Sequence, residues 1–141
     1  MASKGKPLTQ SDFETLSEFR YQMRRFERFS ERAAKAEGLT PQQYLTLLHI
    51  KGRPARDWAT VGEIAERLQV QPHAAVALVS RCEALDMVVR RPSETDRRQV
   101  EVHLLPHGEA LLQRLAALHR AELKSLDGVF AVPQIHFPDL S

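Results

Sequence analysis

The feature that most constrains this chain is a change of apolar rhythm between Thr60 and Leu104. From Thr60 to Leu68, and again from Pro72 to about Leu85, apolar residues recur at steps of three and four, the spacing of one helix face. Ile64, Ala65 and Leu68 form the first face; Ala75, Leu78, Val79, Cys82 and Leu85 form the second. Only Gln69-Val70-Gln71 separates them, so the two helices make a helix-turn-helix, though the turn lacks glycine. Met87-Val88-Val89-Arg90-Arg91 is then β-branched and short. Pro92 to Arg98 is polar and turn-rich, and Gln99 to Leu104 alternates strictly, with Val100, Val102 and Leu104 expected inward. This is a hairpin with a long basic tip. From Pro106 the helical step returns through Leu111, Leu112, Leu115, Leu118 and Leu126.

Upstream, Ser11-Asp12-Phe13-Glu14 has the capping-box spacing and predicts a helix from Ser11 to about Glu37, ended by Gly38. Phe13, Leu16, Phe19, Met23, Phe26, Phe29 and Ala33 give it a long apolar stripe. That stripe is either intramolecular core or a surface shared with a second copy. A second helix opens at Thr40-Pro41-Gln42-Gln43, buries Tyr44, Leu47, Leu48 and Ile50, and ends at Gly52-Arg53-Pro54. Pro54 to Ala59, with Trp58, reads as a loop or short strand. The tail from Asp127 to Ser141 carries Pro133 and Pro138 and reads as irregular, packed on a partner subunit.

At 141 residues, 43% hydrophobic and 27% charged, the chain fits one globular domain. No apolar run reaches the roughly 20 residues needed to cross a bilayer, and the polar start lacks a secretory signal. The single Cys82 excludes an intrachain disulfide framework and fits a reducing cytoplasm. Net charge is only +2, but Arg81, Arg90, Arg91, Arg97 and Arg98 cluster while the acids are dispersed. Such a cluster suits a polyanion; solvated helix and turn charges are the competing reading.

A helix-turn-helix, a hairpin with an Asp96-Arg97-Arg98 tip, and a helix introduced by Pro106-His107-Gly108 together resemble the MarR (multiple antibiotic resistance regulator) family. Thr60 to Leu68, Val89-Arg90-Arg91-Pro92, Asp96 to Val100 and Leu104 to Leu112 carry the resemblance, and the order of elements agrees from Leu39 to Leu126. The resemblance implies a mainly α winged helix-turn-helix fold with a small β-hairpin wing. It assigns 40–105 to a DNA-binding lobe, and 11–37 with 106–141 to dimerisation helices and tail. It further implies a cytoplasmic homodimeric transcription regulator, a repressor, bound to pseudo-palindromic double-stranded DNA and released by a small aromatic effector. Asp86 stands where the family usually has glycine, and Leu105 where it has a capping threonine.

Under that resemblance Arg98 enters a minor groove, where negative potential is enhanced and a weakly hydrated guanidinium fits, while Arg97 contacts phosphate. Asp96 pairs with an arginine to shape the tip, and Arg91 lies along the same hairpin. On the second helix of the pair Gln71, His73, Ala74, Ser80 and Arg81 face the DNA, with Arg81 the best partner for guanine or phosphate. Val76 and Ala77 are also outward, so this face offers few hydrogen bonds. Phe19, Arg20, Met23, Tyr44, Leu47 and Trp58 are the candidate effector pocket, or ordinary core.

Cys82 falls on a buried face and reads as packing rather than as a redox sensor. The histidines, His103, His107 and His119 among them, lack ligand spacing, so no metal is expected. No nucleophile elbow, phosphate loop or dinucleotide signature supports an enzyme or a cofactor. The competing function is a winged-helix module whose partner is protein.

Overall fold

The computed structural model describes residues 7–128 and 133–135. Its elements are α1 (Gln10–Ala36), α2 (Pro41–Lys51), β1 (Trp58–Thr60), α3 (Val61–Leu68), α4 (Pro72–Ala84), β2 (Val88–Pro92), β3 (Val100–Leu104) and α5 (Pro106–Ser125). The antiparallel sheet has the order β1-β3-β2, with Ala59 opposite Val102 and Arg90 opposite Val102 from the other side. Ambiguous in the sequence, Trp58 to Thr60 is the sheet's third strand.

Local chemistry explains most boundaries. Thr40 and Thr60 each accept from the backbone N–H three residues on, while Gln43 and Glu63 accept from the cap N–H, two complete capping boxes. The α1 box differs from expectation: it is Thr9 with Asp12, not Ser11 with Glu14. Both spacings occur in the sequence, and within the helix that Thr9 caps the Thr15 hydroxyl donates to the Ser11 carbonyl at 3.0 Å. The glycine-free turn after α3 is made by Gln69, whose φ is +55°. Its amide nitrogen donates to the Glu66 carbonyl at 2.7 Å and so supports that conformation. Asp86 (φ +58°) takes the left-handed position after α4, as an Asp can with little penalty. Leu105 precedes α5 without a side-chain cap.

The core lies where α2, α3, α4 and α5 pack on the sheet, with α1 laid across α2 and α5. Leu47, Ile50, Ile64, Val79, Met87, Val88, Val102 and Leu115 are fully buried. Three inward expectations fail. Leu85 is exposed because the left-handed Asp86 reverses the chain before that side chain reaches the core. Val100 is exposed because it sits opposite Pro92, at the tip end of the hairpin and beyond the helices. Leu118 is exposed, about 60° round α5 from the buried Leu115 and outside the face that the core covers. The α1 stripe is only partly covered: Phe13 is 54% exposed, whereas Ala33 and Ala34 are buried. A 27-residue helix extends about 40 Å, more than the lobe beneath it can cover. Most of the tail lies outside the described residues.

Candidate nucleic-acid interface

At about 100° per residue, the side chains of α4 fall into three sectors. Ala75, Leu78, Val79 and Cys82 are buried, as the sequence pattern expects. Burial pushes the Cys82 thiol up to about 11, which keeps it a neutral packing group at ordinary pH. Val76, Ser80 and Glu83 occupy the next sector and meet β2. The third carries His73, Ala77 and Arg81, all exposed, beside the half-buried Ala74. Gln71 is exposed at the N-cap position, but its side chain does not cap the helix.

Arg90 of β2 ties itself to the middle sector. Its backbone N–H donates to Glu83 at 2.9 Å and its guanidinium donates to the same carboxylate at 3.0 Å. The other end of the guanidinium donates to the Ser80 hydroxyl at 2.9 Å and the Val76 carbonyl at 3.1 Å. Ser80, expected to face DNA, is thus hydrogen-bonded to β2.

The hairpin tip is held mainly by backbone contacts. Ser93, buried, receives the N–H groups of Thr95 and Asp96 on its hydroxyl, and its own N–H donates to the Gln99 carbonyl. Asp96 accepts from the Arg98 backbone N–H at 2.9 Å. The expected partnership of Asp96 with an arginine side chain is therefore corrected: it folds the tip through backbone, a shorter reach that suits a two-residue separation. Arg97 and Arg98 project exposed from the tip, and Arg91 is exposed opposite Glu101. Among the described residues Arg81, Arg91, Arg97 and Arg98 form no ion pair. By contrast Arg53 and Arg56 bind Glu63, and Arg114 binds Glu37.

The six residues expected to line an effector pocket do not converge. Arg20 and Met23 border one shallow groove and Phe19 another, with Gln22 and Pro133. Leu47 is sealed in the core, and Trp58 lies at the sheet edge beneath Arg56, whose guanidinium carbon is 4.0 Å from the ring centre. Only Tyr44 lines an apolar pocket, of about 380 Å³, between α1, α2 and α5, together with Phe26, Leu48, His119 and Leu123. Burial pushes the Tyr44 phenol above its ordinary pKa. His119, expected at the surface or hydrogen-bonded, is buried and stacks on Tyr44 with centroids 4.7 Å apart. Its Nδ1 lies 2.7 Å from the Leu115 carbonyl, which can only accept, so that nitrogen carries a proton; Nε2 meets the Ser30 hydroxyl at 2.9 Å. His119 and Arg90 are the two residues that sequence reasoning left unassigned. Each has a partner on another element, Ser30 and Glu83 respectively, and no periodicity reports such a pairing. Among the described residues no cluster of three or more His, Cys, Asp or Glu could hold a metal ion, and no helix is long and apolar enough to cross a membrane.

A helix-turn-helix whose second helix is braced against an arginine-tipped hairpin defines a winged-helix protein. Residues 37–99 match the model described as the MarR family. It is 29% identical over 85 residues to the transcriptional repressor MdtR of Bacillus subtilis, covering 60% of this chain and 53% of MdtR. The chain thus spans about half the length of the curated relatives it matches first. The fold is shared with AbsC, a MarR family transcriptional regulator from Streptomyces coelicolor (TM-score 0.74, 20% identity, 91% of this chain and 86% of that one). It is shared also with a MarR variant from E. coli crystallised with operator DNA (TM-score 0.62, 22% identity, 72% and 71%).

Proposed function

We propose that this chain is a DNA-binding transcription regulator, a repressor, acting as a homodimer on a pseudo-palindromic operator. The observation that carries the reading is that Arg81, Arg91, Arg97 and Arg98 are exposed and unpaired on α4 and the wing, while Arg53, Arg56 and Arg90 of the same lobe are held by carboxylates. An unpaired guanidinium is available to phosphate or to a groove; one bound to Glu63 is not. His73, Gln71, Ala74 and Arg81 address the major groove in this reading, and Arg97 and Arg98 the flanking minor groove and its phosphates. Asp96 shapes the tip. The operator complex of the E. coli relative supports the same partner, and the name of MdtR supports repression.

Homodimerisation is supported by the apolar surface that one chain leaves open on α1 and α5, including Phe13, Leu118 and Leu123. Two-fold protein symmetry then selects two-fold operator symmetry. For the effector, the pocket beside Tyr44 and His119 replaces the dispersed six-residue site. It lies between the helices assigned to dimerisation and α2 of the lobe, so an aromatic ligand there could favour one lobe spacing over another. Regulation rather than catalysis follows from the family.

The test is selection of bound duplexes from a random pool, followed by affinity measured against salt. If the four unpaired arginines of each protomer each displace one counterion, a dimer gives a log–log slope of about −7, falling to about −4 for Arg97→Ala/Arg98→Ala. Unchanged affinity and slope in that variant would remove the wing from the interface. Recovery of no duplex at low salt would refute the reading as a whole.

A further inference from the structure

We infer that Arg90 is a positioning residue that locks the wing and the recognition helix into one rigid DNA-reading unit, and is not itself a DNA contact. Four hydrogen bonds from one residue of β2 reach three residues of α4. Val76, Ser80 and Glu83 stand at i, i+4 and i+7, a single row along the helix. The planar guanidinium spans that row as a fork. One edge satisfies Glu83 and the other reaches Ser80 and the Val76 carbonyl, which an ammonium cannot do from one point. Both ends of the fork are engaged and the side chain is 27% exposed, so its charge is spent within the protein.

The consequence is geometric. At its base the hairpin shares a buried core with α4 through Val79, Cys82, Val88 and Val102, and Arg90 adds a polar tie further toward the tip. With it, their spacing is preset before DNA arrives. Two contact elements held at a fixed separation bind as one body, and the entropy of aligning the second is removed in advance. The row also divides the outward face of α4. Ser80 joins the brace through its hydroxyl and Val76 only through its backbone carbonyl, leaving the side chains of His73, Ala74, Val76, Ala77 and Arg81 free to enter a groove.

The inference rests on the wing reading above, and the experiment separates them. Using the full-length chain and the duplex it enriches most from a random pool, affinity and salt slope are measured for wild type, Arg90→Met, Arg90→Lys and Glu83→Ala. The same is done for Arg97→Ala/Arg98→Ala with and without Arg90→Met. Melting of each free protein fixes a temperature at which all are folded. Arg90→Met is expected to bind about tenfold more weakly or worse with an unchanged slope, and less than about threefold more weakly in the Arg97→Ala/Arg98→Ala background. Arg90→Lys should not restore affinity. Glu83→Ala should also weaken binding, although removing a carboxylate near a polyanion would by charge alone strengthen it. A slope lowered by about one per protomer in Arg90→Met would make Arg90 a phosphate contact and overturn the inference. So would full rescue by lysine, tighter binding by Glu83→Ala, or equal losses with and without the wing arginines. If Arg97→Ala/Arg98→Ala alone changes nothing, the wing reading falls and takes the positioning role with it.

Discussion

Replacing Gly108 with alanine sets two effects of known size against each other. Helix propensity alone favours alanine over glycine by about 1 kcal/mol in a helix interior, and less in the first turn, where Gly108 lies. The structure opposes it. A Cβ built on Gly108 would stand 2.1 Å from the Met87 carbonyl oxygen and 2.9 Å from its carbon, closer than any real side chain approaches. That carbonyl cannot retreat freely. It accepts from the Leu105 N–H at 2.9 Å, the Met87 N–H donates to the Cys82 carbonyl, and the Met87 side chain is fully buried. Relief therefore means moving the start of α5 about 1 Å off the head of β2 and lengthening or losing the Leu105 bond. Overpacking of this kind costs roughly 1–3 kcal/mol, and a stranded backbone pair adds about 1–3 kcal/mol. Less the propensity gain, Gly108→Ala is expected to destabilise by about 1–5 kcal/mol. Urea unfolding at fixed protein concentration measures it, since association would otherwise shift the midpoint. Gly62→Ala is the control, because a Cβ there meets nothing nearer than the Thr60 hydroxyl at 3.9 Å, and it should be neutral or slightly stabilising. A Gly108→Ala protein as stable as wild type, with Gly62→Ala behaving normally, would refute the claim that α5 is seated by this contact.

Two further outcomes follow from the titratable groups. Cys82 is buried with its thiol pushed up to about 11, so in the folded protein iodoacetamide at pH 8 should label it far more slowly than in urea, as read by mass spectrometry; equal rates would contradict its packing role. Burial pushes the Glu63 carboxyl up, but the Thr60 N–H and hydroxyl, with Arg56 and Arg53, outweigh that and hold it below its ordinary pKa. A lowered carboxylate pKa gives stability that is present above the unfolded value and is lost as pH falls through the folded one. Acid titration of unfolding should therefore show a loss beginning near pH 4–5 that is shallower in Glu63→Gln, and identical acid limbs would contradict the coupling.

How much was legible before the structure depended on whether the signal was local. Caps, turns and helix faces are encoded within a few residues, so Thr40, Thr60, Pro72 and the buried face of α4 read correctly. Local ambiguity produced the α1 error, where two overlapping capping patterns compete and the chain uses Thr9 with Asp12. Periodicity also cannot report where a core ends. Val100 has the right alternation and Leu85 the right spacing, yet one lies past the helices and the other at a chain reversal. The glycine of Pro106-His107-Gly108 was visible as a motif, but its reason, the Met87 carbonyl across the interface, was not. For the same reason the expected effector residues scattered. Phe19, Arg20, Met23, Tyr44, Leu47 and Trp58 lie on neighbouring elements of the sequence, but which side chains share a pocket beside Tyr44 is set by how α1, α2 and α5 cross.

The arginines make the general point about charge. Counting them along the sequence gives a basic cluster in which Arg81, Arg90, Arg91, Arg97 and Arg98 look equivalent. Their partners divide them by function. Arg90 is bound by Glu83, Ser80 and Val76, and its charge is largely neutralised at contact distance. The other four keep theirs exposed. A guanidinium already paired gains little from phosphate, because the new contact must first repay the old one; an unpaired one releases a counterion at no such cost. The useful electrostatic quantity for this family of folds is therefore the number of cations left over after internal pairing. In this chain four of the lobe's five unpaired arginines among the described residues, all but Arg67 of α3, fall on the two elements that Arg90 holds together.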